Sequence, residues 1–194
     1  MTTGVASSTF PVAFDVEYPE RLSRLLIFVK WLLAIPHYII MYALILVAEL
    51  LTIIAWFAIL FTGRYPRGMF SFVVGVQRWQ HNVSAYTGLL RDDYPPFSLA
   101  AGEYPLTFSV EYPERLSRWL IFVKWLLIIP HLIVFLALGI ASAVVAIIAW
   151  FAILFTGHYP RGLFNFTVGV QRWGARINAY ILLLRDDYPP FSLE

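Results

Sequence analysis

The sequence predicts an all-α integral membrane protein made of two tandem, parallel repeats, and three observations carry that reading. Of the 194 residues, 60% are hydrophobic and only 13% charged, where a soluble domain carries roughly a quarter charged residues; the mean hydropathy is +0.71. Two 25-residue stretches, 38–62 and 132–156, are almost free of polar side chains. At ~1.5 Å per residue each spans about 37 Å, enough to cross a ~30 Å hydrocarbon core with tilt. Finally, the chain repeats itself: EYPERLSR occurs at 17 and 111, WFAILFTG at 56 and 150, GVQRW at 75 and 169, and RDDYPPFSL at 91 and 185, always at an offset of 94.

Residues 11–99 align with 105–193 without a gap, with 61 identities in 89 positions. The organisation is therefore a tail at 1–10, repeat 1 at 11–99, a linker at 100–104 and repeat 2 at 105–194. A two-copy membrane repeat implies pseudo-symmetry, not a solenoid.

Each repeat opens on a period-two pattern, Val12, Phe14, Val16 and then Leu106, Phe108, Val110, which predicts a short strand outside the membrane. Pro19 and Pro113 suit a first helical turn, and Glu20 and Glu114 suit the positive end of its dipole, so a helix is expected to start there. Arg21, Arg24 and Lys30 beside Trp31, with Arg115, Arg118 and Lys124 beside Trp125, place that helix in the headgroup zone with its basic tips snorkelling outward. Pro36 and Pro130 kink or end it. The long apolar stretch follows as one crossing. It closes on Gly63 as a C-cap, with Tyr65 and Arg67, and in repeat 2 Tyr159 and Arg161, anchoring at belt height.

A second helix is expected at 68–90 and 162–184. Phe72, Val76, Trp79, Val83, Tyr86 and Leu90 step by four and three along one apolar stripe, while Gln77, Arg78, His81 and Ser84 keep the other side polar. Either it crosses with its polar side packed inward, or it enters and then runs along the surface. The crossing reading gives about four membrane helices in all. It also suits the five-residue linker, which cannot span a bilayer: two crossings per unit keep both copies parallel, with a pseudo-twofold along the membrane normal. Arg21, Arg24 and Arg91 outnumber Arg64 and Arg67, which puts both termini in the cytoplasm of a multi-pass inner-membrane protein.

Several classes of partner and chemistry fall away. The formal net charge of +2 and the scattered basic residues argue against nucleic acid. The absence of cysteine removes disulfides, thiolate metal ligation and a thiol nucleophile. The opening MTTGVASSTF has neither a basic nor an apolar leader region, and Thr2 rules out myristoylation, so no cleaved signal or lipid anchor is expected.

Glu49 is the ionisable residue of greatest interest. It sits at the middle of the first crossing, where a charge costs at least about 2.5 kcal/mol, and the choice is between a proton relay or partner contact and a neutral, packed carboxyl. Repeat 2 has Ala143 there, with Gly139 making a small-xxx-small spacing. His37 and His131 follow proline at equivalent points and would ligate a haem if a twofold brought them together; polar anchoring is the simpler reading. Asp92 with Asp93, and Asp186 with Asp187, read as solvated helix exits in preference to a magnesium pair. His81 and His158 have no counterparts. With no nucleophile elbow, phosphate loop or zinc spacing, neither an enzyme nor a bound cofactor or metal is expected.

The copies differ at 11 of 13 positions from 40 to 52 but keep their rims. Those rim motifs, YPERLSR, IPH, WFAILFTGRYPRG, GVQRW and YPPFSL, resemble a bacterial family of membrane proteins described as domain of unknown function (DUF) 4389. The resemblance covers both repeats and implies a membrane location without an established activity. The expected function is thus a non-enzymatic membrane scaffold or accessory subunit, with the lipid bilayer and other membrane subunits as partners. A small proton-linked carrier using Glu49 is the alternative, and a haem-binding electron-transfer subunit the third. RDDYPPFSL is expected to end each amphipathic helix and return beside a strand, the copy's own or the next.

Overall fold

The structure is a computed structural model that describes residues 10–194; the tail, apart from Phe10, and the reading of its first residues lie outside the described residues. In chain order the elements are β1 (Val12–Val16), a single 3-10 turn (Leu26–Phe28), α1 (Lys30–Leu33), α2 (Ile35–Thr62), α3 (Arg67–Thr87), β2 (Leu106–Val110), α4 (Leu120–Leu127), α5 (Ile129–Thr156) and α6 (Arg161–Ile181). The molecule is mostly helical, with one small sheet and two tandem repeats.

The two predicted strands are there, and they pair with each other. β1 and β2 run antiparallel with Phe14 opposite Phe108, Val12 opposite Val110 and Val16 opposite Leu106. Phe108 is the counterpart of Phe14 in the second copy, so a pseudo-twofold axis passes between these two residues, perpendicular to the sheet. A two-stranded sheet is marginal alone, and this one is held by what lies beneath it. Its inner residues Val12, Phe14, Val16, Leu106, Phe108 and Val110 are all buried. Arg78 Nε on α3 donates to Phe108 O at 3.1 Å, and Arg172 Nε on α6 donates to Phe14 O at 2.8 Å. Each strand is thus held by an arginine of the other repeat.

The segments after the strands continue this exchange, and here the expected helix start fails. Residues 17–24 and 111–118 are not helical. Tyr18 donates its hydroxyl to Tyr159 O and Tyr112 to Tyr65 O, while Leu22 N–H bonds Gly157 O and Leu116 N–H bonds Gly63 O, each at 2.9 Å. Those bonds to the opposite repeat hold the backbone extended, and helix forms only beyond them. Pro36 and Pro130 do act as read: they fall in the first turn of α2 and α5, where a shorter helix gives way to a long one. Gly63 and Gly157 cap the long helices with φ of 70° and 73°, the left-handed geometry that glycine adopts without strain.

The direction of the long helices follows from the same bonds. Asp92 accepts from Ser23 N–H and pairs with Lys30, just before α2 begins, and neighbouring Leu22 is tied to Gly157, where α5 ends. By symmetry Asp186 joins Ser117 and Lys124, before α5, while Leu116 is tied to Gly63, where α2 ends. The start of each long helix lies by the end of the other, so α2 and α5 are antiparallel.

The molecule has three layers. On α3, Gly75, Arg78 and His81 face the sheet and the chain that returns beside it. Val83, across the helix from His81, and Trp79 beside it pack on Met41 of α2. α3 and α6 are therefore the middle layer, covered by the sheet on one side and by α2 and α5 on the other. This corrects the expectation that 68–90 and 162–184 cross a membrane. Both faces of α3 are buried within the protein, Gln77, His81 and Asn82 included, because the sheet covers the polar face that seemed to need water. Among the described residues only α2 and the Leu120–Thr156 stretch are long and apolar enough to cross, giving two candidates where about four were expected.

Candidate functional site

The outer layer is a continuous apolar face. In α2 the buried residues His37, Met41, Ala48, Ala55 and Ile59 are spaced by four or seven, a single line down the helix. Directly opposite that line, Ile39, Leu46, Leu50, Ile53, Phe57 and Phe61 are all exposed, as are their counterparts Ile133, Ile140, Val144, Ile147, Phe151 and Phe155 on α5. Only 17% of the most apolar window of α2, and 6% of that in Leu120–Thr156, is buried. The core helix of a soluble protein has the reverse pattern, and a patch of this extent marks an interaction face.

Basic side chains gather at both ends of this face. Arg118 lies across the end of α2: a β-carbon on Gly63 would sit 3.5 Å from its Nε. Arg64 and Arg115 join it around a polar hollow of about 380 Å³. Arg67 stacks over the Tyr112 ring at 4.7 Å. At the other end Arg24 crosses Gly157 in the same way, Arg161 stacks over Tyr18 at 4.5 Å, and Arg21 is exposed alongside. Among the described residues none of these arginines pairs with a carboxylate; the ion pairs use other cations. Trp31 and Trp125 are largely exposed. Of the anchors read from sequence, Tyr65 and Tyr159 are corrected: both are fully buried, because the Tyr-Pro turn aims their rings back at Phe70 and Phe164.

Lys30 is a second correction. It does not snorkel outward but is buried, with Nζ 2.8 Å from Asp92 Oδ1 and donating to Arg91 O at 2.7 Å. Burial pushes its ammonium below the ordinary lysine value, and the bond to Asp92 opposes that. Lys124 repeats the arrangement with Asp186 at 2.8 Å and Arg185 O at 2.6 Å. The acidic residues of RDDYPPFSL are therefore ligands for a buried lysine as well as solvated exits. The remainder of the phrase is equally engaged. Tyr94 donates to Leu33 O, Phe97 stacks on His37 at 4.1 Å, and Leu99 O accepts from Arg78 Nη1 at 2.8 Å. Since Arg78 also holds Phe108 O, the phrase does return beside a strand; Arg172 joins Leu193 O to Phe14 O in the same way.

The remaining candidates separate. His37 and His131 do not meet. Each begins one of the antiparallel helices and is enclosed by its own repeat's aromatics, Trp79, Tyr94 and Phe97 for one and Trp173, Tyr188 and Phe191 for the other. A haem shared between them has no place in this geometry. Glu49 is exposed at mid-length of α2, on the shoulder of the helix and not on its buried line. A β-carbon on Gly139 would touch nothing within 4 Å, so the Gly139–Ala143 face makes no close helix contact. No group of three His, Asp or Glu suited to a metal occurs among the described residues. His81 is a further correction: the polar side of its helix implies a solvated or headgroup-facing ring, but it is buried on the pseudo-twofold axis, 5.0 Å from the Phe14 ring and 4.8 Å from that of Phe108. Burial pushes its pKa down to about 4.

The same two-copy layout defines the class. The model of the family described as Domain of unknown function (DUF4389) matches residues 24–98 and again 118–192. The chain belongs to that family, as a tandem duplication. Both matches begin after the strands and the Tyr-Pro-Glu-Arg segments, so the exchanged pieces lie outside the matched spans. No curated protein and no solved structure matches the chain significantly.

Proposed function

We propose that the protein is a non-enzymatic membrane scaffold, held in lipid by α2 and α5 and meeting other subunits along the divergent stretch of α2 around Glu49. The observation that supports this reading is the exposed apolar layer with arginines and tryptophans at its ends. Covering a single exposed Leu, Ile or Phe is worth about 1.5–3 kcal/mol, so a face with six such residues on each helix would bind lipid very tightly. Arginine and tryptophan suit the headgroup boundary around it. Partner subunits would meet the chain where the exposed surface of the copies has diverged, along 40–52 and beside Glu49.

Flotation with liposomes tests the membrane part of this reading: the chain should float, resist removal by high salt and alkaline carbonate, and come off in detergent. A protein that stays monodisperse in plain buffer and sediments away from the lipid would end it. Affinity capture in mild detergent tests the scaffold part. A stoichiometric membrane partner weakened by Glu49→Gln is the expected outcome, and an isolated chain whose proton flux in liposomes disappears in Glu49→Gln would replace the scaffold with the carrier.

A further inference from the structure

We infer that the chain lies in one leaflet, with α2 and α5 parallel to the membrane plane, and does not cross the bilayer. The inference rests on the membrane reading above and adds an orientation to it. The pseudo-twofold axis passes between Phe14 and Phe108, perpendicular to the sheet, and on through the middle and outer layers. Because α2 and α5 are antiparallel, they lie across this axis and not along it. The molecule has only two symmetric placements in a bilayer: the axis in the membrane plane, with both long helices upright, or the axis along the normal, with both helices flat.

The upright placement puts the sheet, which sits on the axis, at the centre of the hydrocarbon. Its outward residues Asp15, Thr107 and Ser109 are exposed, and Asp15 is paired with Arg172 at 2.9 Å on that face. A charged residue at the bilayer centre costs on the order of 2.5–3.5 kcal/mol even on insertion scales, and open sheet edges facing lipid do not occur there. The flat placement has neither difficulty. The sheet points to water, while the line from Ile39 to Phe61 and its α5 counterpart lie at one depth, among acyl chains. Arg118 and Arg24, at opposite ends of the outer layer, then reach the phosphates of the same leaflet. Glu49, on the shoulder of α2, can reach toward the headgroups instead of sitting at the midplane.

The occupant of the apolar face is thus the acyl region of one leaflet, with lipid phosphates at the arginine hollows. The chain has no cysteine, which makes the test direct. Glu20→Cys and Glu114→Cys mark the two ends, and Ser109→Cys marks the sheet; all three positions are exposed. Each full-length variant is added to preformed sealed vesicles of phosphatidylglycerol and phosphatidylcholine, floated, and treated with a membrane-impermeant maleimide before and after detergent. Complete labelling at all three sites before detergent, with no further gain afterwards, is expected. Opposite protection of Glu20→Cys and Glu114→Cys on protein that floats would overturn the flat placement alone. Failure to float, as for a water-soluble dimer joined through its apolar faces, would overturn both this inference and the membrane reading beneath it.

Discussion

The two repeats are most alike where they hold the other copy and most different where they meet their own image. The bonds across the copies match, Arg78 to Phe108 O and Arg172 to Phe14 O, and so does the ion pair that each repeat forms within itself, Lys30–Asp92 and Lys124–Asp186, both at 2.8 Å. On the axis, such identity is sterically impossible. His81 occupies the space between Phe14 and Phe108, and its counterpart is Ala175, because two imidazoles related by the axis would compete for one site. A similar exchange of bulk occurs farther out: repeat 1 has Met41 and Gln80 where repeat 2 has Phe135 and Gly174, and a β-carbon on Gly174 would sit 3.1 Å from the Phe135 ring. Divergence between the copies is thus partly a packing necessity, and only the unpaired changes around Glu49 point outward to something else.

Breaking what the copies share should cost most, and equally in each. Asp92→Ala leaves Lys30 buried without its counter-charge, and a loss of about 3–4 kcal/mol is expected; Asp186→Ala should match it within error in detergent-solubilised unfolding. A clear inequality would mean that the repeats are not energetic equivalents. Breaking what they do not share should give a signature that depends on pH. The unfolded chain protonates His81 below its ordinary value of 6.5 and the folded chain only near 4. Stability should therefore fall as pH is lowered through that window, by about 3 kcal/mol for this ring. His81→Ala should remove that component from the acid unfolding curve and, at neutral pH, cost about 2 kcal/mol for the cavity left between the two phenylalanines. Adding Ala175→His should recover much of that loss, since the imidazole is then supplied from the other side of the axis; simple addition of two penalties would count against a shared site.

The smallest effects should come from the close approach of the returning phrase to the middle layer. A β-carbon at Gly75 would lie 2.9 Å from Leu99 Cβ and 3.3 Å from its carbonyl oxygen, whereas at Gly169 both distances to Leu193 are 2.9 Å. Gly75→Ala and Gly169→Ala should each cost about 1–3 kcal/mol through overpacking, with Gly169→Ala the greater because the rigid carbonyl is nearer. Thermal unfolding in the same detergent ranks the two.

What was legible in the sequence was local. The repeat offset, the alternation of Val12 to Val16, the proline at the start of each long helix and the glycine at its end all depend on neighbouring residues, and each has its expected place. What was not legible depends on residues far off in the sequence, in the other copy or at the far end of the same one. Nothing near Pro19 reveals that Leu22 is bonded to Gly157 and is therefore held out of a helix. Lys30 read as a snorkelling cation because Asp92 is 62 positions away, yet a signal existed: both members of that pair are retained in repeat 2, in otherwise unrelated motifs. The polar side of α3 reads as a face for the membrane surface or for another membrane helix because the pairing of the opening strands of the two repeats, which covers it, joins residues 94 positions apart at Phe14 and Phe108. The exposure of the arginines is readable locally, since a cation beside a helix end needs no long-range partner, whereas the burial of Tyr65 and Tyr159 follows from a turn whose direction only the packed structure sets.

The orientation of the outer layer is the claim on which the membrane account turns, and a depth series measures it most directly. A fluorophore is attached in turn at Ile39→Cys, Leu50→Cys and Phe61→Cys, all on the outermost line of α2, and quenched by nitroxides at set depths in the lipid chain. The three probes should report one common depth within a single leaflet. A staircase from one headgroup region through the midplane to the other, over the about 33 Å that separates Ile39 from Phe61 along the helix, would contradict it.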